Sequence, residues 1–277
     1  MNGKKAGPEL ALAEGDQIEY VAWDIPEPEV DLHIDVLFDD RDLMVVNKPG
    51  NLPCHPGGRF FNHTLWAILK QQYKLESPAM VNRLDRETSG VVVVAKTPEA
   101  AKKCRSQFAG HRVQKRYVAF VEGEFPETLE AKGYIVDDRH AEVRKKQLFV
   151  RADSVREGDA TEKEGVWAET QFRRMSRHGA VSEVEVIPKT GRLHQVRATL
   201  HGLGYPVVGD KLYGVDPGIF ARFCAGAMTN DDRRRMRLDR QALHAAGLRF
   251  CHPRTGKPLA FDLPLPPDMA NLLPLLK

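Results

Sequence analysis

Four consecutive valines, Val91-Val92-Val93-Val94, constrain this chain more than any other feature. A short run of β-branched residues without polar alternation reads as a buried strand, because branched side chains lose rotamer freedom in a helix and pack well on a pleated surface. Val45-Val46 marks a second buried strand. The segment that enters the valine run is Val81-Asn82-Arg83-Leu84-Asp85-Arg86-Glu87-Thr88-Ser89-Gly90, which places a carboxylate between two arginines at the strand's mouth. Neighbouring cations favour the ionised form and lower the pKa. Asp85 is therefore suited to act as a nucleophile or a fixed negative charge, and not as a proton donor. A surface turn with salt-bridged side chains is the plainer alternative.

Other local signals place elements around this core. Thr64 precedes a helix in which Leu65, Ile68, Leu69 and Tyr73 recur at helical spacing. Thr97-Pro98-Glu99 starts another, with a capping hydroxyl, a proline at the first position and an acid in the first turn. Val184 and Val186 alternate with Glu183 and Glu185, as in a half-exposed strand. Runs of strands with interspersed helices point to an α+β fold and not to a doubly wound sheet. Residues 22–30, with Pro26, Pro28 and several acids, read as a linker. The expected organisation is an N-terminal extension and linker at 1–30, then one domain at 31–277.

Residues 191–204 carry a second chemical group. If they are helical after Gly191, then Leu193, Val196 and Leu200 form one apolar stripe with Arg197 at its edge, beside the core. A guanidinium there needs an anion, since an unpaired buried charge is costly. Asp85 is the natural candidate; an arginine snorkelling to solvent is the alternative. Tyr117 lies in the strand-like stretch Tyr117-Val118-Ala119-Phe120-Val121 and by spacing alone reads as a packed core tyrosine.

Charge and composition set outer bounds. The 277 residues are 42% hydrophobic and 29% charged, as expected of a soluble globular protein, and no apolar run has the length of a membrane span. No secretory leader is visible at the first residues, so a cytoplasmic protein is expected. The net charge of +3 is too small to announce a nucleic-acid binder. Local clusters say more: Lys102, Lys103, Arg105, Arg112, Lys115 and Arg116; then Arg139, Arg144, Lys145 and Lys146; then Arg233, Arg234, Arg235 and Arg237. They imply a divided surface, basic where phosphates sit, although any one cluster alone reads as a solvated face. The four cysteines, Cys54, Cys104, Cys224 and Cys251, form no Cys-x-x-Cys pair. His33, His55, His63, His111, His140 and His178 show no metal-ligand spacing, and no phosphate loop or dinucleotide fingerprint is present. Neither metal nor other cofactor is expected.

The segment around Asp85 resembles the signature of the RluA-type pseudouridine synthases, His-Arg-Leu-Asp-Arg-x-Thr-Ser-Gly. Five further blocks resemble the family in its own order. They are Asn47-Lys48-Pro49 with Leu52-Pro53-Cys54-His55-Pro56, Lys115-Arg116-Tyr117, Gly191-Arg192-Leu193-His194-Gln195-Val196-Arg197, Gly209-Asp210-Lys211-Leu212-Tyr213-Gly214, and Leu243-His244-Ala245 with His252-Pro253. The resemblance implies a mixed, largely antiparallel central sheet with flanking helices and a central catalytic cleft. It implies an enzyme that isomerises uridine in ribosomal or transfer RNA to pseudouridine, working as a monomer without cofactor or membrane.

By the same resemblance Asp85 is the catalytic nucleophile, Arg197 its ion-pair partner, and Tyr117 an aromatic group against the target base. A flipped-out base needs such a stacking surface. Substrate contacts fall on Arg83, Asn82, Arg86, His55, Arg192, His194 and Gln195, with Arg83 entering the space the base leaves. Residues 12–20 resemble the last strand of an alpha-L RNA-binding module. The chain departs from the family at Asn82, in place of the usual histidine, at Thr199, where a histidine often stands, and at Gly50-Asn51, an inverted order. Two rival readings are a non-catalytic RNA-binding protein on the same fold and a hydrolase using an Asp85 and Glu87 carboxylate pair.

Overall fold

The computed structural model describes residues 2–3, 6–7, 9–19, 26–139, 141, 143, 146–156 and 158–276. In chain order the strands are β1 (Asp35–Asp39), β2 (Leu43–Lys48), β3 (Ala79–Met80), β4 (Ser89–Ala95), β5 (Gln114–Glu122), β6 (Thr128–Asp137), β7 (Gln147–Arg151), β8 (Val166–His178), β9 (Val181–Pro188), β10 (Leu243–Cys251) and β11 (Pro258–Asp262). The helices are α1 (Leu65–Gln71), α2 (Pro98–Ala109), α3 (Ala160–Glu164), α4 (Gln195–Gly202), α5 (Ile219–Cys224), α6 (Asn230–Met236) and α7 (Pro267–Leu272).

The strands form one sheet in the order β1-β2-β4-β10-β5-β9-β8-β6-β7, with β3 added to β4 and β11 to β10. The pairing of β4 with β10 is parallel, Ser89 facing His244 and Gly90 facing Ala245. The other pairings are antiparallel. The α+β architecture with a mixed, largely antiparallel sheet is thus observed.

The valine run explains why β4 sits inside. Val92 and Val94 pack with Met44, Val46 and the α1 residues Ile68 and Leu69. Val91 and Val93 face the other way, onto Leu43, Val45 and the α2 residues Ala100, Ala101 and Cys104. A strand buried on both faces has no polar alternation to show, and each valine removed from water is worth about 1.5–3 kcal/mol. A third core joins β5, β8 and β9 to α4 and α7 through Phe120, Phe172, Val184, Leu200 and Met269. Thr64 and Thr97 cap α1 and α2, accepting from Ala67 N and Ala100 N at 3.2 Å each.

Two expectations need correction. Helix α4 begins at Gln195, not after Gly191, because His194 takes a left-handed conformation with φ of 53°. Leu193 therefore lies outside the helix and is 49% exposed, while Val196 and Leu200 are buried as expected. Residues 12–19 form no strand; Asp16 instead closes a turn by accepting from Ala13 N, and Tyr20 lies outside the described residues. The linker reading of 22–30 also covers residues 22–25, which are not described. At its far end, packing on the domain already starts at Glu27, whose carboxylate accepts the N–H groups of Phe61, Asn62 and His63. Burial pushes that carboxyl upward, but the three backbone donors outweigh it and bring its pKa down to about 2.

Candidate active site

The loop between β3 and β4 presents Asp85 to a cleft of about 1030 Å³. Local sequence and distant cations hold this loop from behind. Asn82 joins it to β4 by donating to Val91 O at 3.1 Å and accepting from Val93 N at 2.8 Å. Buried Lys48 donates to the carbonyls of Pro49, Leu52 and Arg86. Burial brings the Lys48 pKa down to about 8. Glu87 turns away from the cleft and receives Arg86, Lys211 and the Gln241 N–H. No Asp85 and Glu87 carboxylate pair faces the cleft: the chain turns at Arg86 and Glu87, with the Thr88 N–H donating to Asp85 O at 3.1 Å, and Glu87 lines the cavity on the other side of the loop.

The partner of Asp85 comes from α4. Arg197 Nη1 donates to Asp85 Oδ2 at 2.7 Å, while its Nε and Nη2 grip both oxygens of Asp210 at 2.6 and 2.8 Å. Asp210 is itself held by the N–H groups of Leu212 and Tyr213, both at 2.9 Å. Its position follows from Gly209, whose φ of +73° and tight approach to Arg240 O, 2.1 Å from where a Cβ would lie, admit no side chain. The Tyr213 ring lies 4.9 Å beneath the Arg197 guanidinium. Its hydroxyl accepts from Gln147 N at 2.8 Å and lies 3.0 Å from His194 Nδ1. The imidazole is thereby oriented with Nε2 4.0 Å from Asp85 Oδ1.

The electrostatics follow from this geometry. Burial alone would raise the Asp85 pKa; the charges of Arg197 and His194 and the Arg197 hydrogen bond outweigh it and hold the carboxyl below its ordinary range. Asp85 thus stays ionised in the cleft, with Oδ2 tied to Arg197 and Oδ1 4.0 Å from His194 Nε2. Tyr117, on β5, lines the same cleft. Burial and the Asp85 charge push its phenol up to about 12, so it remains protonated. Burial lowers the His194 pKa although Asp85 works against this.

The remaining expected residues divide. His55, Arg83 and Arg192 are exposed and line the cleft. Arg83 has no ion-pair partner among the described residues, and Arg192 spends only its Nε, on Trp167 O at 3.0 Å. Arg86 does not line this cleft. Its guanidinium lies on the other side of the loop, 5.4 Å from the Phe60 ring and 5.5 Å from that of Phe223, and pairs with Glu87. The expectation that Arg83 and Arg86 flank the Asp85 carboxylate is corrected accordingly: Arg197 holds it. Gln195 spends its whole amide inside the protein, accepting from Thr190 and Arg192 and donating to Glu169 O and Thr170. Asn82 likewise spends its amide on β4.

Asp210 and Tyr213 were not singled out from the sequence as site residues. The available signal was Gly209-Asp210, a tight turn carrying an acid, in a block that already matched the family. Of the basic stretches, Lys102, Lys103 and Arg105 are exposed on α2, and Arg139 pairs with Glu164; Arg144 and Lys145 lie outside the described residues. Arg234, Arg235 and Arg237 are already paired with Asp231, Asp216 and Glu122.

Comparison with known proteins identifies the family. The family model described as RNA pseudouridylate synthase matches residues 42–202. The chain is 32% identical over 259 residues to a protein of Zymomonas mobilis named ribosomal large subunit pseudouridine synthase D, covering 90% of this chain and 74% of that protein. It is 35% identical over 217 residues to the yeast mitochondrial tRNA pseudouridine(32) synthase, covering 78% of this chain and 45% of the relative. Among solved structures, human RNA pseudouridylate synthase domain containing 1 superposes with a TM-score of 0.66 at 25% identity, covering 89% of this chain and 90% of that one. Fold and family match together define an RNA-modifying isomerase. The chain belongs to the RluA-type family of RNA pseudouridine synthases.

Proposed function

We propose that the protein converts specific uridines of ribosomal or transfer RNA to pseudouridine, with Asp85 as the reacting carboxylate. The observation that carries this reading is the Asp85 side chain, which lines the cleft, is kept ionised by Arg197 at 2.7 Å on Oδ2, and among the described residues has only His194 Nε2, 4.0 Å away, beside Oδ1. The reaction is balanced within one nucleotide. The C1′–N1 bond breaks, a C1′–C5 bond forms, C5 loses a proton and N1 gains one. Asp85 starts it by attacking C1′ or by removing the C2′ proton to give a glycal; both routes need the ionised form. Tyr117 offers a ring for the detached base and a protonated hydroxyl beside it. Arg83, exposed in the cleft and without an ion-pair partner among the described residues, is the side chain assigned to fill the gap left by the extruded base.

Unmodified large-subunit ribosomal RNA and transfer RNA transcripts, incubated with the protein and a chelator and then mapped for pseudouridine, test the proposal. Modified sites are expected with wild type and none with Asp85→Asn, which nearly keeps size while removing the charge. A folded Asp85→Asn protein that modifies RNA at the wild-type rate would refute the nucleophile. Activity that needed added zinc, nicotinamide or ATP would defeat the cofactor-free mechanism.

A further inference from the structure

Lys115 stands where the catalytic cleft passes into a second cavity of about 590 Å³, and it lines both. On β5 it lies two residues before Tyr117, so both side chains leave the same face of the strand, roughly 6–7 Å apart at Cα. Its ammonium donates one hydrogen bond, to Thr190 O at 2.6 Å. Among the described residues no carboxylate pairs with it. The charge that acts on it is another cation, Arg192. A Cβ on Gly191 would lie 3.4 Å from Lys115 Nζ, so the missing side chain keeps that approach open.

Among the described residues no carboxylate reaches Lys115. The second cavity brings in His111, Glu169, Lys189, Arg249 and Asp262. Of its two acids, Asp262 is occupied by Arg116 and Arg249, and Glu169 makes no ion pair with Lys115. From the cleft side the charged and titratable neighbours are His55, Arg83, His194 and the Asp85–Arg197 pair, with Tyr117 protonated between. Two cations converging without a protein carboxylate repel each other until an external anion joins them.

We infer that Lys115 and Arg192 form a subsite for an RNA phosphodiester flanking the target uridine. The inference rests on the pseudouridine synthase reading and extends it to the path of the RNA, which leaves the cleft past Lys115. Burial, and then Arg192, bring the Lys115 pKa down to about 8 in the free protein; a bound phosphate would raise it. Affinity is then level below that pH and falls by about tenfold per unit above it, until the raised pKa of the complex is reached.

The test is RNA binding by wild type, Lys115→Arg and Lys115→Met between about pH 6 and pH 10, a range that spans the transition. Unmodified ribosomal and transfer RNA transcripts serve as probes, and thermal melting checks that each variant is folded. Wild type should lose affinity above about pH 8, Lys115→Arg should hold it, and Lys115→Met should bind roughly tenfold more weakly at neutral pH with a flatter curve. Lys48, also near 8, contributes equally to all three curves, so the difference between them reports Lys115. Parallel curves for wild type and Lys115→Met would overturn the subsite. Pseudouridine in the same samples is read separately: its formation alongside parallel curves removes only the subsite, and its absence with wild type removes the catalytic reading.

Discussion

Arg197 is 7% exposed and carries a full charge between two carboxylates. Asp210 takes two of its donors and so fixes the angle at which the third reaches Asp85. Asp210→Asn should therefore leave Arg197 poorly compensated, destabilising the protein by about 3–5 kcal/mol in urea titration and lowering turnover in the remaining folded enzyme. The pH dependence has a defined sign. Arg197 and the two backbone donors depress the folded Asp210 pKa below 3.8 despite burial. Its contribution is thus complete above the unfolded value and lost as pH falls through the folded one. The stability gap between wild type and variant should be constant near neutrality and close only in acid; a gap that closed toward alkaline pH would contradict the assignment. Tyr117→Phe keeps the ring and should bind RNA nearly as wild type while losing most turnover if the hydroxyl moves a proton. Full activity in that variant would confine Tyr117 to stacking. The Asp85 and Arg197 pairing was legible because a buried guanidinium demands an anion. Asp210 was not, since nothing local shows that a turn acid is wholly buried beneath an arginine 13 positions earlier.

At the level of elements, the site depends on how β4 begins. Gly90 has φ of +118°, and a Cβ there would lie 2.3 Å from Ala245 O, inside the parallel pairing of β4 with β10. No side chain fits. Gly90→Ala should cost about 2–5 kcal/mol through backbone strain and overpacking together, and should shift the Asp85 loop, which enters β4 just before it. Measured by denaturant unfolding and by turnover at a temperature where the variant stays folded, both losses are expected. A loss below about 0.5 kcal/mol, the range of an ordinary surface change, would show that the approach relaxes freely. The valine run and the helix caps were readable because their causes are local: branched side chains, a capping hydroxyl, a proline at the first turn. The start of α4 was not, because the turn before it is set by Gln195 reaching Thr170 and Glu169 on β8, 25 and 26 positions away. Such tertiary hydrogen bonds override the apolar periodicity that placed Leu193 on the helix.

Across the whole molecule the charge is divided by the loop that carries Asp85. On the cleft side, Arg83, Lys115 and Arg192 have no carboxylate partners among the described residues. On the other side a cavity of about 820 Å³ is lined by Glu29, Asp31, Asp35 and Asp239; of its cations Arg86 and Lys211 pair with Glu87 and Arg240 with Asp268, while Lys48 is spent on backbone carbonyls. The sequence suggested Arg233, Arg234 and Arg235 as a phosphate-facing stretch, but proximity along a chain does not reveal that the carboxylates of Asp231 and Asp216 already occupy two of them. Counterion release distinguishes the two sets. Each cation that neutralises a phosphate steepens the fall of binding with salt by about 0.7–0.9 in logarithmic slope. Arg83→Ala and Arg192→Ala should each flatten the slope by about that amount and weaken binding at low salt. The Arg234→Ala, Arg235→Ala double variant should leave it nearly unchanged, since breaking two surface ion pairs releases no counterion from RNA. A salt series in which the double variant flattened the slope and the cleft variants did not would place the RNA on the α6 side, away from Asp85.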